Sequence, residues 1–136
     1  MMDFEPVVPL DETFDAVLGL EWISLAADKV EATLPLRPHY FTAPGWLQTG
    51  IPAAVAETIA STGTARVVIP RGEIAMGQWN QTTVVAAAVG ETLSATATVI
   101  SAGGDQWLWT VQMVDAEGTV VASSQVSIAV RKAPEP

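Results

Sequence analysis

Glu57 is the one acidic residue in the 41-residue stretch from Ala32 to Gly72. It stands among Ala53, Ala54, Ala60, Ser61 and Thr64, side chains small enough for other backbone, or a second subunit, to come close. A carboxylate enclosed by such neighbours has limited water around it, the usual setting of a catalytic carboxylate. It can attack a carbonyl as a nucleophile or activate water as a base, and residue types alone do not separate the two. Two turns earlier come Thr49, Gly50 and Pro52. Thr49 is suited to capping a helix start, and Pro52 is tolerated in a first turn, where amides lack partners inside the helix. Free amides at Thr49 and Gly50, backed by the positive end of the helix dipole, suit a developing oxyanion. Glycine at 45 and 50 lets a ligand approach the backbone. The helix start and the carboxylate lie roughly 10 Å apart along the axis, so the pair cannot easily serve one substrate from a single chain.

The element that must carry these groups is the long helical stretch Trp46 to Arg66. Ile51, Val55, Ile59 and Thr62 fall at i, i+4, i+8 and i+11 and form an apolar stripe, with the small face and Glu57 opposite. Before it, Met1 to Pro9 is irregular and proline-marked, and Leu10 to Leu18 reads as a short helix closed by Gly19. Leu20 to Ala26 and Val30 to Leu36 alternate around Ala27-Asp28-Lys29 as a hairpin, ending at Pro35 and Pro38. The segment Arg37 to Gly45 is an ordered loop. Beyond Pro70-Arg71-Gly72 come four strand-like runs, Glu73 to Val89, Glu91 to Ser101, Gln106 to Val114 and Thr119 to Val130. They are separated by Val89-Gly90, Gly103-Gly104-Asp105 and Asp115-Ala116-Glu117-Gly118, each a good turn. Hairpin, helix, then strands describe one α+β domain over 1–136, a mostly antiparallel curved sheet of five to six strands around one long central helix.

Composition narrows the function classes. Among 136 residues, 49% are apolar and 15% charged, a balance that points to surface buried between subunits and so to an oligomer. The formal net charge is -9, and Lys29, Arg37, Arg66, Arg71, Arg131 and Lys132 never form a run, which argues against nucleic acid. No cysteine and one histidine, His39, leave no thiolate or histidine-rich metal site, and no cofactor is expected. The first residues carry acids and prolines rather than a basic start and an apolar run, and no long uncharged apolar helix follows. A cytoplasmic protein without a membrane partner is the expectation.

The run Gly45-Trp46-Leu47-Gln48-Thr49-Gly50, followed by Glu57 in Ala53-Ala54-Val55-Ala56-Glu57-Thr58, resembles the signature Gly-x-x-His-Gly-Gly followed at the same spacing by Asp or Glu. That signature marks the hotdog thioesterases, in particular the phenylacetic-acid-degradation and 4-hydroxybenzoyl-CoA thioesterase groups. Met76-Gly77-Gln78-Trp79-Asn80 and the turn Val114 to Ala122 continue the likeness over nearly the whole chain. Gln48 replaces the common His, Thr49 replaces the first Gly of the pair, and Thr42 stands where Asn or Gln often holds the carbonyl or the water. The strand after the helix reads Thr83-Val84-Val85-Ala86 in place of a Phe-x-x-Pro-like stretch.

The resemblance implies a hotdog fold and hydrolysis of an acyl-CoA or acyl-carrier-protein thioester at an interface in a homodimer, with a dimer of dimers, a homotetramer, as the full assembly. Helix-start amides at Thr49 and Gly50 come from one chain and Glu57 from its neighbour. Gln48 stands at the helix start, Ser61 matches the hydroxyl that helps orient water, and Thr42, Gly45, Trp46 and Asn80 are the expected substrate contacts. A second reading, motivated by the altered Gln48-Thr49 pair and Thr42, is a non-catalytic hotdog module that binds an acyl ligand or serves as an oligomeric scaffold. A hotdog dehydratase would need a His with an Asp in another motif, for which His39 is poorly placed. The tryptophans at 22, 46, 79, 107 and 109 read mainly as core and interface. Arg66, Arg71 and Arg131 are the cations available to coenzyme A phosphates, although isolated basic residues are usually just solvated.

Overall fold

A computed structural model describes residues 7–135. The irregular N-terminal segment expected over Met1 to Pro9 therefore lies outside the described residues up to position 6. The expected helix over Leu10 to Leu18 divides into a 3-10 turn at Leu10–Glu12 and helix α1, Phe14–Leu18. Thr13 breaks it by turning extended and capping α1, its hydroxyl oxygen accepting from Ala16 N at 3.4 Å. Strands β1 (Glu21–Leu25) and β2 (Lys29–Pro35) form the expected hairpin. Helix α2 spans Gly50–Val68 and runs into a 3-10 turn at Ile69–Arg71. Strands β3 (Glu73–Val84), β4 (Thr92–Ser101), β5 (Gln106–Val114) and β6 (Val120–Lys132) complete an antiparallel sheet in the order β1-β2-β4-β5-β6-β3.

Two boundaries differ from expectation for physical reasons. The helix begins at Gly50 rather than Trp46 because residues 41–47 close a small loop of their own, with Thr42 N donating to Trp46 O at 2.7 Å and a bridge between Phe41 and Leu47. Strand β3 ends at Val84 rather than Val89 because it lies at the sheet edge beside β6, whereas β4 lies between β2 and β5. Val89-Gly90 is thus not a hairpin turn, and the chain from Val85 to Glu91 crosses from one edge into the sheet. Asp115 clamps that crossing to the β5–β6 turn: its carboxylate accepts from Val89 N at 3.1 Å, Glu117 N at 2.9 Å and Thr119 N at 3.1 Å.

The core lies between α2 and the concave face of the sheet. The buried sector of the helix is wider than the Ile51-Val55-Ile59-Thr62 stripe and takes in Pro52, Ala56, Thr58, Ala60, Gly63 and Thr64. Ala60 and Thr64, expected beside Glu57 on the small face, are thus part of the core. The sheet curves around the helix and demands small residues where the two come nearest. A Cβ on Gly63 would fall 2.7 Å from Trp109 Cη2 and 2.9 Å from Val30 Cγ2, so glycine is needed there for close approach. The fully buried Trp109 indole donates to Thr64 Oγ at 2.9 Å, and Thr64 in turn donates to Ala60 O at 3.0 Å, so that both of these buried donors are paired. The other side of α2 is tied to α1, where Thr58 donates to Asp15 Oδ1 at 2.6 Å, and the loop before α2 is tied to the same helix by Tyr40 OH, which donates to Leu18 O at 2.8 Å.

Burial alone would push the Asp115 carboxyl up, but the Val89, Thr119 and Glu117 amides together outweigh it and hold the group below its usual 3.8. A carboxyl with a depressed value in the folded state stabilises the protein above its unfolded value, and that contribution disappears as pH falls through the folded value. Asp115→Asn should therefore lower the thermal midpoint near neutral pH, with the gap to wild type narrowing progressively below pH 3.8. A gap that stays constant through acid titration would show that the charge does not hold the crossing.

Candidate functional site

The beginning of α2 is built differently from the simple cap expected at Thr49. Thr49 occupies the N-cap position, yet its backbone is already helical (φ −56°, ψ −29°) and its hydroxyl makes no capping bond. The amides it would serve are not available: Ile51 N donates to Gln48 O at 2.9 Å, and Pro52 has no N–H. Gln48 supplies the cap instead, its Oε1 accepting from Gly50 N at 2.5 Å. The Gly50 amide, expected to face outward unpaired, is therefore occupied by a side chain of the same loop. Among the described residues, no acceptor is recorded for the Thr49 amide.

Seven residues on, Glu57 extends from α2 toward strand β3 and remains exposed in the single chain. This departs from the expectation of a carboxylate with little water around it. The small face does flank Glu57, but the described residues leave the carboxylate exposed. What lies beneath the carboxylate is Gly77. A Cβ built there would sit 2.6 Å from Glu57 Cδ and closer still to Oε1. A cleft of about 440 Å³ runs along the helix from its start to the carboxylate, lined by Thr49, Gly50, Ala53, Ala54, Glu57, Asn80 and Thr82. A second hollow of about 220 Å³ continues past Glu57 along Gly77, Gln78, Trp79 and Asn80. Among the described residues, Glu57 is the sole ionisable group lining either one.

Asn80 joins helix to strand at the middle of this cleft. Its Nδ2 donates to Ala53 O at 2.8 Å, while its Oδ1 accepts from Thr82 Oγ1 at 2.7 Å. Thr82 also lies 2.7 Å from Ser124 Oγ on β6, so the amide is held at both ends. The structure thus brings Thr49, Gly50, Glu57 and Asn80 into one cleft, with Gln48 at its rim. Thr42, Gly45 and Trp46 do not line it. Thr42 Oγ1 donates to Trp46 O at 3.1 Å and, with Gly45 at φ +96°, shapes the loop ahead of the helix, leaving the Trp46 ring half-exposed. Ser61, one turn beyond Glu57, is partly buried and also lies outside the lining. His39 stands edge-on to Tyr40, with ring centroids 4.8 Å apart, and Arg131 donates to Asp105 O at 3.1 Å.

Sequence comparison extends these observations. No family model matches the chain. A Mycobacterium tuberculosis protein named "putative esterase" is 32% identical over 124 residues, spanning 88% of this chain and 89% of the relative. The solved structure of that protein superposes with a TM-score of 0.83 at 30% identity, covering 90% of this chain and 98% of the other. The chain belongs to the family of this "putative esterase" and has the hotdog fold. AziG of S. sahachiroi superposes with a TM-score of 0.80 at 31% identity, over 86% of this chain and 94% of AziG. A thioesterase from Haemophilus influenzae shares the fold at 23% identity, with a TM-score of 0.81 over 91% of this chain and 86% of its own.

Gly77, Thr82 and the Ala53 carbonyl are parts of the cleft that residue types alone did not single out. Gly77 carried a usable signal, because glycine inside a strand pattern marks a bulge or a close approach of other groups. The Asn80–Ala53 bond has no local signal, since it joins elements 27 residues apart. The capping role of Gln48 yields a direct expectation. Gln48→Ala should cost about 1 kcal/mol of stability, the usual worth of a helix cap, measured as the shift in chemical denaturation midpoint at constant slope. No shift would mean that water serves the Gly50 amide equally well.

Proposed function

We propose that the chain hydrolyses an acyl thioester, carried on coenzyme A or on an acyl carrier protein, at a site completed by two copies. The observation that carries this reading is the cleft itself: the start of α2 and a single carboxylate on the same helix, the sole ionisable group among the described lining residues, beside an edge strand open to a partner. The "putative esterase" relatives support hydrolysis of an ester or thioester, and the fold shared with a Haemophilus influenzae thioesterase agrees with that class. The pairing of copies is supported by the strand. β3 is twelve residues long and among the described residues pairs on one side only, its run Met76 to Gln81 is exposed, and it carries no lysine or proline to discourage pairing. A two-fold axis beside this edge would run the two α2 helices antiparallel, which sets the start of each against the middle of the other. That removes the separation of roughly 10 Å between helix start and carboxylate along one helix. The apolar composition supports a further association of such pairs into a dimer of dimers.

In this arrangement the thioester carbonyl oxygen lies against the Thr49 and Gly50 amides of one copy, and the Gln48 oxygen yields the Gly50 amide to it. Glu57 of the other copy takes a proton from water as the water oxygen bonds to the carbonyl carbon. The carbon–sulfur bond then breaks, and the proton passes to the departing thiolate. If Glu57 instead attacks directly, an acyl-carboxylate anhydride forms and water opens it, with the same overall balance of one water consumed for one acid and one thiol. Asn80 contacts the substrate within the cleft, and Ser61, Trp46, Thr42 and Gly45, outside the lining of the single chain, take their expected parts only where the second copy completes the site. One observation favours the second reading, a non-catalytic acyl-binding module: the Gly50 amide is already filled by Gln48.

A panel of short, medium, long and aryl acyl-CoAs, with free thiol as the readout, separates the two. Thioester hydrolysis by the wild type should fall by about 10²-fold or more in Glu57→Gln, with the thermal midpoint unchanged or raised. Acyl-CoA binding that survives Glu57→Ala, with no turnover in any form, would favour the binding module.

A further inference from the structure

The register of β3 against β6 shifts between Gly77 and Trp79, leaving Gln78 as the extra residue of a bulge. Its effect on side-chain direction is specific. In an unbroken strand alternate residues share a face, so Gly77 and Asn80, three apart, would point to opposite sides. Gly77 pairs with Ile128 and Asn80 with Val126, both fully buried, and both positions face α2. Gln78 turns the other way, its Oε1 accepting from Ser127 Oγ at 3.3 Å. The bulge therefore aims a residue without a side chain and a bonded amide at the same stretch of helix, Gly77 beneath Glu57 and Asn80 against Ala53. Bulges beside functional sites commonly re-aim side chains in this way.

We propose that Gly77 is a positioning residue for Glu57, holding open the place across the edge strand where the carboxylate lies. This rests on Glu57 being the reacting carboxylate. Any side chain at 77 would meet Glu57 Cδ at 2.6 Å and Cγ at 2.9 Å, and the carboxylate must leave. Glu57 is exposed and flexible, so it can leave without disturbing the core. The chain tolerates the substitution as a fold, and the site does not. Gly77 is not at positive φ, so its value lies in the space it leaves and not in backbone freedom.

The test uses wild type, Gly77→Ala, Glu57→Asp and the double variant Gly77→Ala/Glu57→Asp. Each is assayed for kcat and KM on the acyl-CoA that wild type hydrolyses best, with thermal midpoints alongside and a crystal structure of Gly77→Ala. In Gly77→Ala, kcat should fall about a hundredfold, as a misplacement of about 1 Å can cause, with KM and midpoint close to wild type. The shorter aspartate side chain of Glu57→Asp should fit beneath the new methyl, so the double variant should exceed Gly77→Ala alone although Glu57→Asp is itself impaired. The crystal structure should show the Glu57 carboxylate displaced from residue 77. Wild-type kcat in Gly77→Ala, an unmoved carboxylate, or a double variant no better than Gly77→Ala would each overturn the positioning role. A wild type that hydrolyses no thioester in the panel defeats the reading of the site, and the positioning role with it. A Gly77→Ala effect missing from an active wild type background defeats the positioning role alone.

Discussion

Helix α2 lies so near strand β5 that the edge of the Trp109 ring rests where a side chain at residue 63 would be. Everything else about the fold adjusts to that approach. The helix needs glycine, alanine and threonine on its buried sector, the sheet must curve to keep contact along nineteen residues, and Trp109 must find a partner for its N–H inside the core, which Thr64 supplies. Close packing of this kind leaves little tolerance, because an interior at crystal-like density registers a change of one methyl group. It also fixes the height of the helix above the sheet, and so where a side chain leaving its flank meets the edge strand.

Glu57 leaves that flank, and the approach seen at Gly63 is repeated at Gly77 in reverse. At Gly63 the absent side chain is on the helix and admits the sheet; at Gly77 it is on the sheet and admits the helix carboxylate. The Asn80 amide, bonded to Ala53 O on one side and Thr82 on the other, holds the first turns of the helix to the same strand. The helix start and the carboxylate are thereby held beside one edge strand, and among the described residues both stay exposed.

Local chemistry made some of this legible and hid the rest. The hairpin around Asp28 and the strand Gln106 to Val114 follow from alternation and turn residues, and the structure has them within a residue or two. Pairing order is a non-local property. No feature of the run Glu73 to Val89 says that it belongs at the edge beside the last strand, and its early end at Val84 follows from the crossing that this placement forces. The signature run located the cleft because helix start and carboxylate share one helix, whose spacing is readable. The capping bond falls to Gln48 rather than to Thr49, because helical backbone at the N-cap and the neighbouring Pro52 redirect it. Exposure of Glu57 was the least accessible feature, because burial on a small-residue face depends on what stands opposite.

The central claim is that one copy's helix start and another copy's carboxylate make one site, and mixing two crippled forms tests it most directly. Glu57→Gln and Gly50→Val, the second crowding the helix start, are each purified, unfolded together in equal amounts and refolded, with each alone treated identically. If the site is shared, each mixed dimer contains one site with both parts intact, and activity should return to about a quarter of the wild-type level for a statistical mixture of two-fold dimers. Activity that stays at the level of the separate variants, in a sample shown to contain mixed dimers, would contradict the shared site.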